Sequence, residues 1–280
     1  MRIGLKKLGF LATIMIMMGV LNSCASKKDS VEAKQAMLYF GAGTQSLMDQ
    51  NYTEALTNLL KANELEPKNP DILNNLGMAY YFKGETELAI KYINQSLELN
   101  EQNSDARLNL ASIYYQSGDI KRAEKLYLEV TKDLTYDKQA RTYYNLGVLE
   151  EEKRKNLNGA EEYFKKALKE DINYCPAFLQ LGLLRYKRKQ FNTALKNFKD
   201  ASSGSCYESP VAHYYYGMTL VDLRRFEDAR IKFDEIDTHF KKSVFAVKAR
   251  AKAVELNEIE ARYKAPEAHA SLKVLESPDF

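Results

Sequence analysis

Three cysteines and three histidines are the residues of this sequence best suited to chemistry. Cysteine thiolates can be acylated, bind a metal or form a disulfide, and histidine side chains can bind metals or transfer protons. These six residues are Cys24, Cys175, Cys206, His213, His239 and His269. They form no CxxC or HExxH spacing, so the sequence predicts neither a metal site nor a cofactor, and it places the histidines at a surface or interface.

The glycine pair Gly41 and Gly43 is another candidate, because it resembles the start of a dinucleotide-binding loop. No strand-like segment precedes the pair, so we interpret both glycines as structural. No set of nucleophile, base and orienting residue is visible elsewhere in the chain. The sequence therefore predicts a protein that is not an enzyme and that has no small-molecule substrate.

The charges of the chain are nearly balanced, with 41 Lys and Arg residues against 38 Asp and Glu residues. Such a balance gives no electrostatic reason to expect nucleic-acid binding. The excess comes from Arg2, Lys6 and Lys7, which precede an apolar run from Leu8 to Leu21. This order is typical of a secretory signal peptide. As a helix the run would span only roughly 21 Å, too short to cross a membrane.

The end of the apolar run resembles a bacterial lipobox, in which an aliphatic residue and two tolerant positions precede a cysteine. Here the motif reads Leu21, Asn22, Ser23 and Cys24. The resemblance implies that residues 1–23 are removed, that Cys24 carries a diacylglycerol, and that residues 24–35 form a lipidated tether. Several acyl chains would anchor the protein firmly. By resemblance to lipoprotein sorting in enteric bacteria, the absence of Asp after Cys24 implies attachment to the outer membrane, at its periplasmic face. The alternative is an ordinary signal peptide with an incidental cysteine.

A motif with a period near 34 residues fills most of the remaining chain. A small residue recurs at Gly43, Gly77, Ala111, Gly147, Gly182 and Gly217, and an alanine follows at Ala55, Ala89, Ala123, Ala160, Ala194 and Ala229. Four residues after each alanine stands a bulky residue, namely Leu59, Ile93, Tyr127, Phe164, Phe198 or Phe233. This spacing puts the alanine and the bulky residue on one helix face, so each repeat is predicted to be two closely packed antiparallel helices.

This pattern resembles that of tetratricopeptide repeats. The resemblance implies an all-α fold, a right-handed superhelical solenoid of six helix-turn-helix repeats over residues 36–242. A helical stretch over residues 243–263 matches the capping helix that such stacks need. Residues 264–280 are expected to be a flexible tail. An insertion at residues 155–159 is expected to loosen the turn of the fourth repeat.

The two cysteines beyond Cys24 are candidates for a disulfide, because an exported protein meets an oxidising compartment. Cys175 begins the first helix of the fifth repeat, and Cys206 follows its second helix. In an antiparallel hairpin these two places lie at the same end, so a bridge is geometrically reasonable. Its loop of about 32 residues would stabilise the fold by roughly 3–4 kcal/mol. The alternative is two buried free thiols.

In tetratricopeptide proteins the first helices line a concave wall that binds other proteins. The corresponding residues here are apolar and aromatic: Phe40, Leu47, Met48, Met78, Tyr81, Phe82, Leu108, Tyr115, Tyr144, Leu179, Leu183, Tyr186, Tyr214 and Met218. Such a groove suits an extended or helical segment of another protein. Alternatively, individual aromatic residues of this set pack between neighbouring helices.

Six such repeats behind a lipobox, with two further cysteines, resemble the type IV pilus pilotin lipoproteins, the family of PilF, PilW and Tgl. The resemblance implies a protein that is anchored to the membrane by its lipid. Its groove would capture subunits of an outer-membrane secretin and promote their localisation and assembly. The alternative is a periplasmic adaptor that scaffolds peptidoglycan hydrolases or another envelope complex. Repeats of this kind specify function weakly, so the sequence leaves both hypotheses open.

Overall fold

The computed structural model describes residues 31–275 of the chain, with side chains through Ala261. Within these residues the protein is helical and contains no strand, which confirms the predicted all-α class. The helices are α1 (31–48), α2 (Tyr52–Leu65), α3 (Pro70–Phe82), α4 (Thr86–Leu99), α5 (Ser104–Gln116), α6 (Ile120–Val130), α7 (Gln139–Glu152), α8 (Leu157–Glu170), α9 (Cys175–Lys187), α10 (Phe191–Asp200), α11 (Pro210–Asp222), α12 (Phe226–His239) and α13 (Val244–Leu275). A short 3₁₀ helix, Gly204–Cys206, lies between α10 and α11.

Consecutive helices pair into hairpins, from α1/α2 to α11/α12, and α13 packs against the last of them. The chain divides into two compact units. The first unit ends at Tyr136 and contains α1 to α6, and the second begins at Asp137 and contains α7 to α13. Within each unit, the second helix of one hairpin contacts the first helix of the next. The six helix pairs predicted from the repeat are thus observed.

The recurring small residue of each repeat lies beneath the bulky residue of the partner helix. In hairpin α9/α10, a Cβ atom placed on Gly182 would lie 2.5 Å from the ring of Phe198. Phe198 and Ala194 are fully buried on the facing side of α10. The same close approach recurs at the repeat glycines of four other hairpins. The close approach of the facing side chain therefore favours glycine at these positions, although glycine is a poor helix former.

The substitution Gly182→Ala should lower the free energy of unfolding by about 1–2 kcal/mol. An extra methyl group in a packed core typically destabilises a protein by about 1–3 kcal/mol. Alanine is the better helix former, which offsets this loss by up to about 1 kcal/mol. The matched control is Gly41→Ala in α1, because a Cβ atom there would have no atom within 4 Å. The control should stabilise α1 by up to about 1 kcal/mol. Urea unfolding followed by circular dichroism measures both effects, and shifts of the same sign would contradict the close approach.

The insertion in the fourth hairpin does not loosen its turn, contrary to the expectation from the sequence. The Asn156 side chain accepts a hydrogen bond from the Gly159 N–H, and its amide donates to the carboxylate of Glu150 at 2.7 Å. Arg154 donates to the same carboxylate at 2.7 Å. Glu150 is buried at the end of α7. The inserted residues therefore supply polar groups that tie the turn to the hairpin.

The last helix is longer than predicted. The sequence predicted a capping helix that ends at residue 263, whereas α13 continues to Leu275. The predicted tail, 264–280, is thus helical over most of its length. The added segment is rich in Ala, Leu, Lys and Glu, which are strong helix formers, and their preference outweighs the single proline, Pro266. Residues 276–280 lie outside the described part of the chain.

Candidate protein-binding surface

The predicted lipidation site lies outside the described residues, together with the signal over residues 1–23 and the tether through residue 30. Residues 31–35, predicted as the end of the tether, are helical and belong to α1. In the described range 31–275, none of the helices is both long and apolar enough to span a bilayer. Attachment to a membrane through Cys24 stays a prediction.

The first helices of the first unit carry an exposed apolar surface, here called the α1–α3 wall. It contains the predicted groove residues Phe40, Leu47, Met48, Met78, Tyr81 and Phe82. Met48 is 73% and Phe82 44% exposed, and the other four are half-buried. Met37, one helical turn before Phe40, adds an exposed side chain that the sequence analysis missed. Its spacing of eleven residues from Met48 on the same helix face was the signal that could have identified it.

Rings and open space shape the α1–α3 wall. The ring of Phe82 stacks on that of Tyr52, with 4.7 Å between centroids, and Tyr81 meets Phe82 edge to face at 5.5 Å. On α1, the surface at Gly41 is open, since no atom lies within 4 Å of the place a Cβ would take. The wall therefore combines rigid rings on α3 with a shallow gap on α1.

A chain of hydrogen-bonded polar side chains crosses the first helices of this unit. The Asn75 amide donates to the Thr44 hydroxyl at 2.9 Å and thereby joins α3 to α1. The Asn74 amide donates to Asn75 at 3.2 Å, and the Asn109 amide of α5 donates to Asn74 at 3.1 Å. Satisfied buried amides of this kind fix the relative positions of the helices that carry them.

Two predicted groove residues of the first unit are not available to a partner. Leu108 is completely buried, and Tyr115 is only 8% exposed. Both lie on α5, which packs against α3, α4 and α6 and is therefore covered on most of its surface. The prediction was wrong for these two residues. Their spacing in the repeat matches that of the exposed residues, but they are covered by neighbouring helices.

The predicted groove residues of the second unit are half-buried, and the rings of the tyrosines among them mainly pack between helices. These residues are Tyr144, Leu179, Leu183, Tyr186, Tyr214 and Met218. The ring of Tyr144 lies 5.7 Å from those of Phe164 and Tyr174. Tyr214 contacts Phe233 and Phe245 in the same manner. These tyrosines therefore follow the packing alternative more than the groove hypothesis.

Tyr186 is the most constrained of these side chains. Its hydroxyl donates to the Asp222 carboxylate at 2.5 Å, and its ring packs edge-on against Phe191, Phe198 and Tyr215. Burial, together with the hydrogen bond to Asp222, raises the pKa of Tyr186 above its usual range. Tyr186 therefore links α9 to α11 and is a positioning residue of the fold.

Glu161 is the centre of an ionic cluster between α8 and α9. Its carboxylate accepts hydrogen bonds from Arg185 at 2.5 Å, from Lys165 at 2.7 Å and from Arg188. Burial acts to raise the pKa of Glu161, but the hydrogen bonds from Lys165 and Arg188 and the charge of Arg185 outweigh it. The pKa falls from 4.5 to about 2. The cluster thus pairs two basic residues of the α9 end, Arg185 and Arg188, with a single carboxylate.

The low pKa of Glu161 predicts a pH-dependent stability of the second unit. Because folding favours the charged carboxylate, its contribution is present above about pH 4.5 and is lost as the pH falls through about 2. Glu161→Gln should remove this dependence, so the stability gap between the two proteins should narrow on acidification. Urea unfolding at several pH values from about 2 to about 6 covers the titration of Glu161. It measures the difference in unfolding free energy between the two proteins. A constant gap would contradict the role of Glu161.

A disulfide joins the two ends of the fifth hairpin. Cys175, at the start of α9, is bonded to Cys206 of the 3₁₀ helix, with Cα atoms 5.4 Å apart. Tyr207 follows, and its ring packs against the buried side chain of His213, whose Nε2 atom lies 2.9 Å from the Tyr207 carbonyl oxygen. Burial lowers the pKa of His213. His239 is exposed at the end of α12.

Repeat-family models match the central part of the chain. A TPR repeat model matches residues 49–84, and two tetratricopeptide repeat models match residues 83–142 and 140–171. Among curated proteins, the type IV pilus assembly protein PilF of Pseudomonas aeruginosa is 26% identical over 173 residues. This alignment covers 62% of the present chain and 68% of PilF.

Two solved structures resemble the fold over most of its length. The structure of Pseudomonas aeruginosa PilF has a TM-score of 0.64 at 20% identity and covers 79% of this chain and 99% of that one. The crystal structure of PilW, a widely conserved type IV pilus biogenesis factor, has a TM-score of 0.61 at 18% identity, with coverages of 78% and 96%. At these identities the structural matches show the fold. The chain therefore contains tetratricopeptide repeats and is homologous to the type IV pilus assembly protein PilF.

Proposed function

We propose that this protein binds a segment of another protein on the α1–α3 wall during type IV pilus biogenesis. The observation that carries the proposal is the wall itself, an exposed apolar surface on two adjacent helices. Its methionines can adapt their shape, and its rings offer rigid contact area, so the wall suits an apolar helix or extended segment. The homology to PilF supports the pilus pathway.

The finer proposal is a pilotin. A lipid on Cys24 would hold the protein on the outer membrane, while the wall captures secretin subunits and promotes their assembly. The lipobox-like end of the apolar run supports the anchor. The anchor and the wall lie close together in the chain, because only six residues separate Cys24 from Val31 of α1. Fully extended, that connection reaches roughly 25 Å, so the wall would face partners near the membrane surface.

An affinity capture from detergent-solubilised envelopes tests the proposed partner and anchor together. The bait is the lipidated protein, Cys24→Ala is the control, and mass spectrometry identifies the captured proteins. Recovery of a secretin by the lipidated bait would support the pilotin. Recovery of peptidoglycan hydrolases without a secretin would overturn it in favour of the envelope adaptor.

Substitution in the α1–α3 wall should weaken capture without unfolding the protein. Met48→Glu places a charge in an apolar surface, and we expect binding at least about tenfold weaker, as for truncation of an interface anchor. Because Met48 is largely exposed, helicity should be unchanged. The matched control is Leu134→Glu, at an exposed leucine in the loop after α6. Equal capture by both variants would refute the wall as the binding surface.

A further inference from the structure

The last helix occupies the place of a first helix in a seventh repeat. Ala251 of α13 follows Gly217 by 34 residues, which is the period of the repeat, and it therefore stands at the position of the recurring small residue. The opposite side of α13, with Ala246, Ala249 and Leu256, is fully buried against the core of the sixth hairpin. In packing and register, α13 continues the series of first helices.

The face of α13 that carries Ala251 is uncovered. In all six hairpins the small residue is buried beneath the second helix, whereas Ala251 is exposed. Val247 and Val254, which flank Ala251 on the same face, are 57% and 72% exposed. Within the described residues no second helix follows, because α13 itself continues to Leu275. The helix face that carries the small residue is thus buried in each of the six hairpins but exposed on α13.

The arrangement of side chains around Ala251 is self-complementary. Val247 lies four residues before Ala251 and Val254 three residues after it, on one flank of the exposed face. Lys248 lies three residues before and Glu255 four residues after, on the other flank. In two antiparallel helices related by a twofold axis at Ala251, each flank meets the same flank of the second copy in reverse order. Val247 then faces the partner's Val254, and Lys248 faces the partner's Glu255.

Both charged side chains of this face are exposed at the surface. The Lys248 ammonium lies 5.0 Å from the centre of the Phe245 ring, and Glu255 pairs with Lys252 of the same helix at 2.7 Å. Both side chains are also long enough to reach an opposite charge on the second helix of a closely packed pair. In a parallel twofold arrangement each flank would instead meet the opposite flank of the second copy, so the lysine and glutamate would face valines and would form no ion pair. Charge complementarity therefore selects the antiparallel arrangement.

We infer that two copies of this chain associate through an antiparallel α13 pair centred on Ala251. The pairing reproduces, between copies, the close approach of antiparallel helices that the small residue permits within each hairpin. It would bury the exposed valines in a dry seam and add two symmetric ion pairs. Because α13 belongs to the second unit, this association does not depend on the α1–α3 wall or on the identity of its partner.

Sedimentation equilibrium of the full chain with Cys24→Ala tests the inference, since lipid-driven association is then absent. We expect a monomer–dimer equilibrium, and we expect Val254→Glu to raise the dissociation constant at least about tenfold by placing a charge in the seam. The matched control is Ile231→Glu, at another largely exposed apolar site, on α12, and it should leave the equilibrium unchanged. A monomer at every soluble concentration, or a dimer unaffected by Val254→Glu, would overturn the inference.

A charge exchange tests the antiparallel register separately. Lys248→Glu and Glu255→Lys should each weaken the dimer, and the double variant should restore it, because the ion pairs are re-formed with reversed signs. Ala251→Cys should form a disulfide between copies, located by peptide mapping, whereas Ala261→Cys, ten residues from the axis, should not. Failure of the double variant to recover dimerisation, or cross-linking at residue 261 alone, would contradict this register.

Discussion

Replacing Phe198 with alanine should lower the free energy of unfolding of the second unit by about 3–5 kcal/mol. The Phe198 ring is fully buried over Gly182 and stacks on Tyr215 of the next hairpin, with 5.7 Å between centroids. Its removal leaves a cavity where the fifth and sixth hairpins meet. In a repeat stack each hairpin is stabilised mainly by its neighbours, so the loss should spread to both.

The measurement for Phe198→Ala is urea unfolding followed by circular dichroism, with hydrogen exchange to locate the loss. Amides of α9 to α11 should exchange faster, whereas those of the first unit should keep their protection. The matched control is Ile231→Ala, at an exposed site on α12, which should cost no more than about 0.5 kcal/mol. Equal losses for the two variants would show that the ring does not hold the hairpins together.

Removing the disulfide should destabilise the second unit by about 3–4 kcal/mol, according to the chain-entropy model for a loop of this length. The bridge joins two residues 31 positions apart, Cys175 and Cys206, and encloses the whole fifth hairpin. Without it, the unfolded chain gains freedom and the 3₁₀ helix loses its covalent link to α9. The double variant Cys175→Ala, Cys206→Ala tests this expectation by urea unfolding.

The control for the disulfide is a chemical one. A reductant should shift the unfolding midpoint of the unmodified protein to that of the double variant, and it should leave the double variant unchanged. Counting free thiols under denaturing, non-reducing conditions adds an independent measure. If the reductant had no effect on the unmodified protein, the bridge would contribute nothing to stability.

The helix pairs could be predicted from the sequence because their signature is local. A small residue and a bulky one recur at fixed spacing, and each such pair meets within a single hairpin, as Gly182 and Phe198 do. The extent of α13 could not be read in this way, since Pro266 argued for an earlier end. The turn at the insertion was also missed, because the polar contacts of Asn156 and Glu150 have no repeating pattern.

The exposure of the predicted groove residues could be predicted only in part, because periodicity identifies a helix face but not what covers it. Met48 and Leu108 were selected by similar reasoning, yet one is largely exposed and the other fully buried. The difference comes from α3, α4 and α6, which enclose α5. The role of Tyr186 depends in turn on Asp222, a residue 36 positions away in the next hairpin.

The helical class, the six hairpins and their register follow from the amino-acid order alone, because they depend on side-chain size at spacings that one helix pair can satisfy. Which apolar residues stay exposed is visible only in the folded protein, because exposure depends on the neighbouring helices. Within residues 31–275, the α13 face around Ala251 likewise lacks the second helix that covers the equivalent face of every hairpin. The spacing of residues can predict a packing face of a helix, but only the folded structure shows whether another helix covers that face.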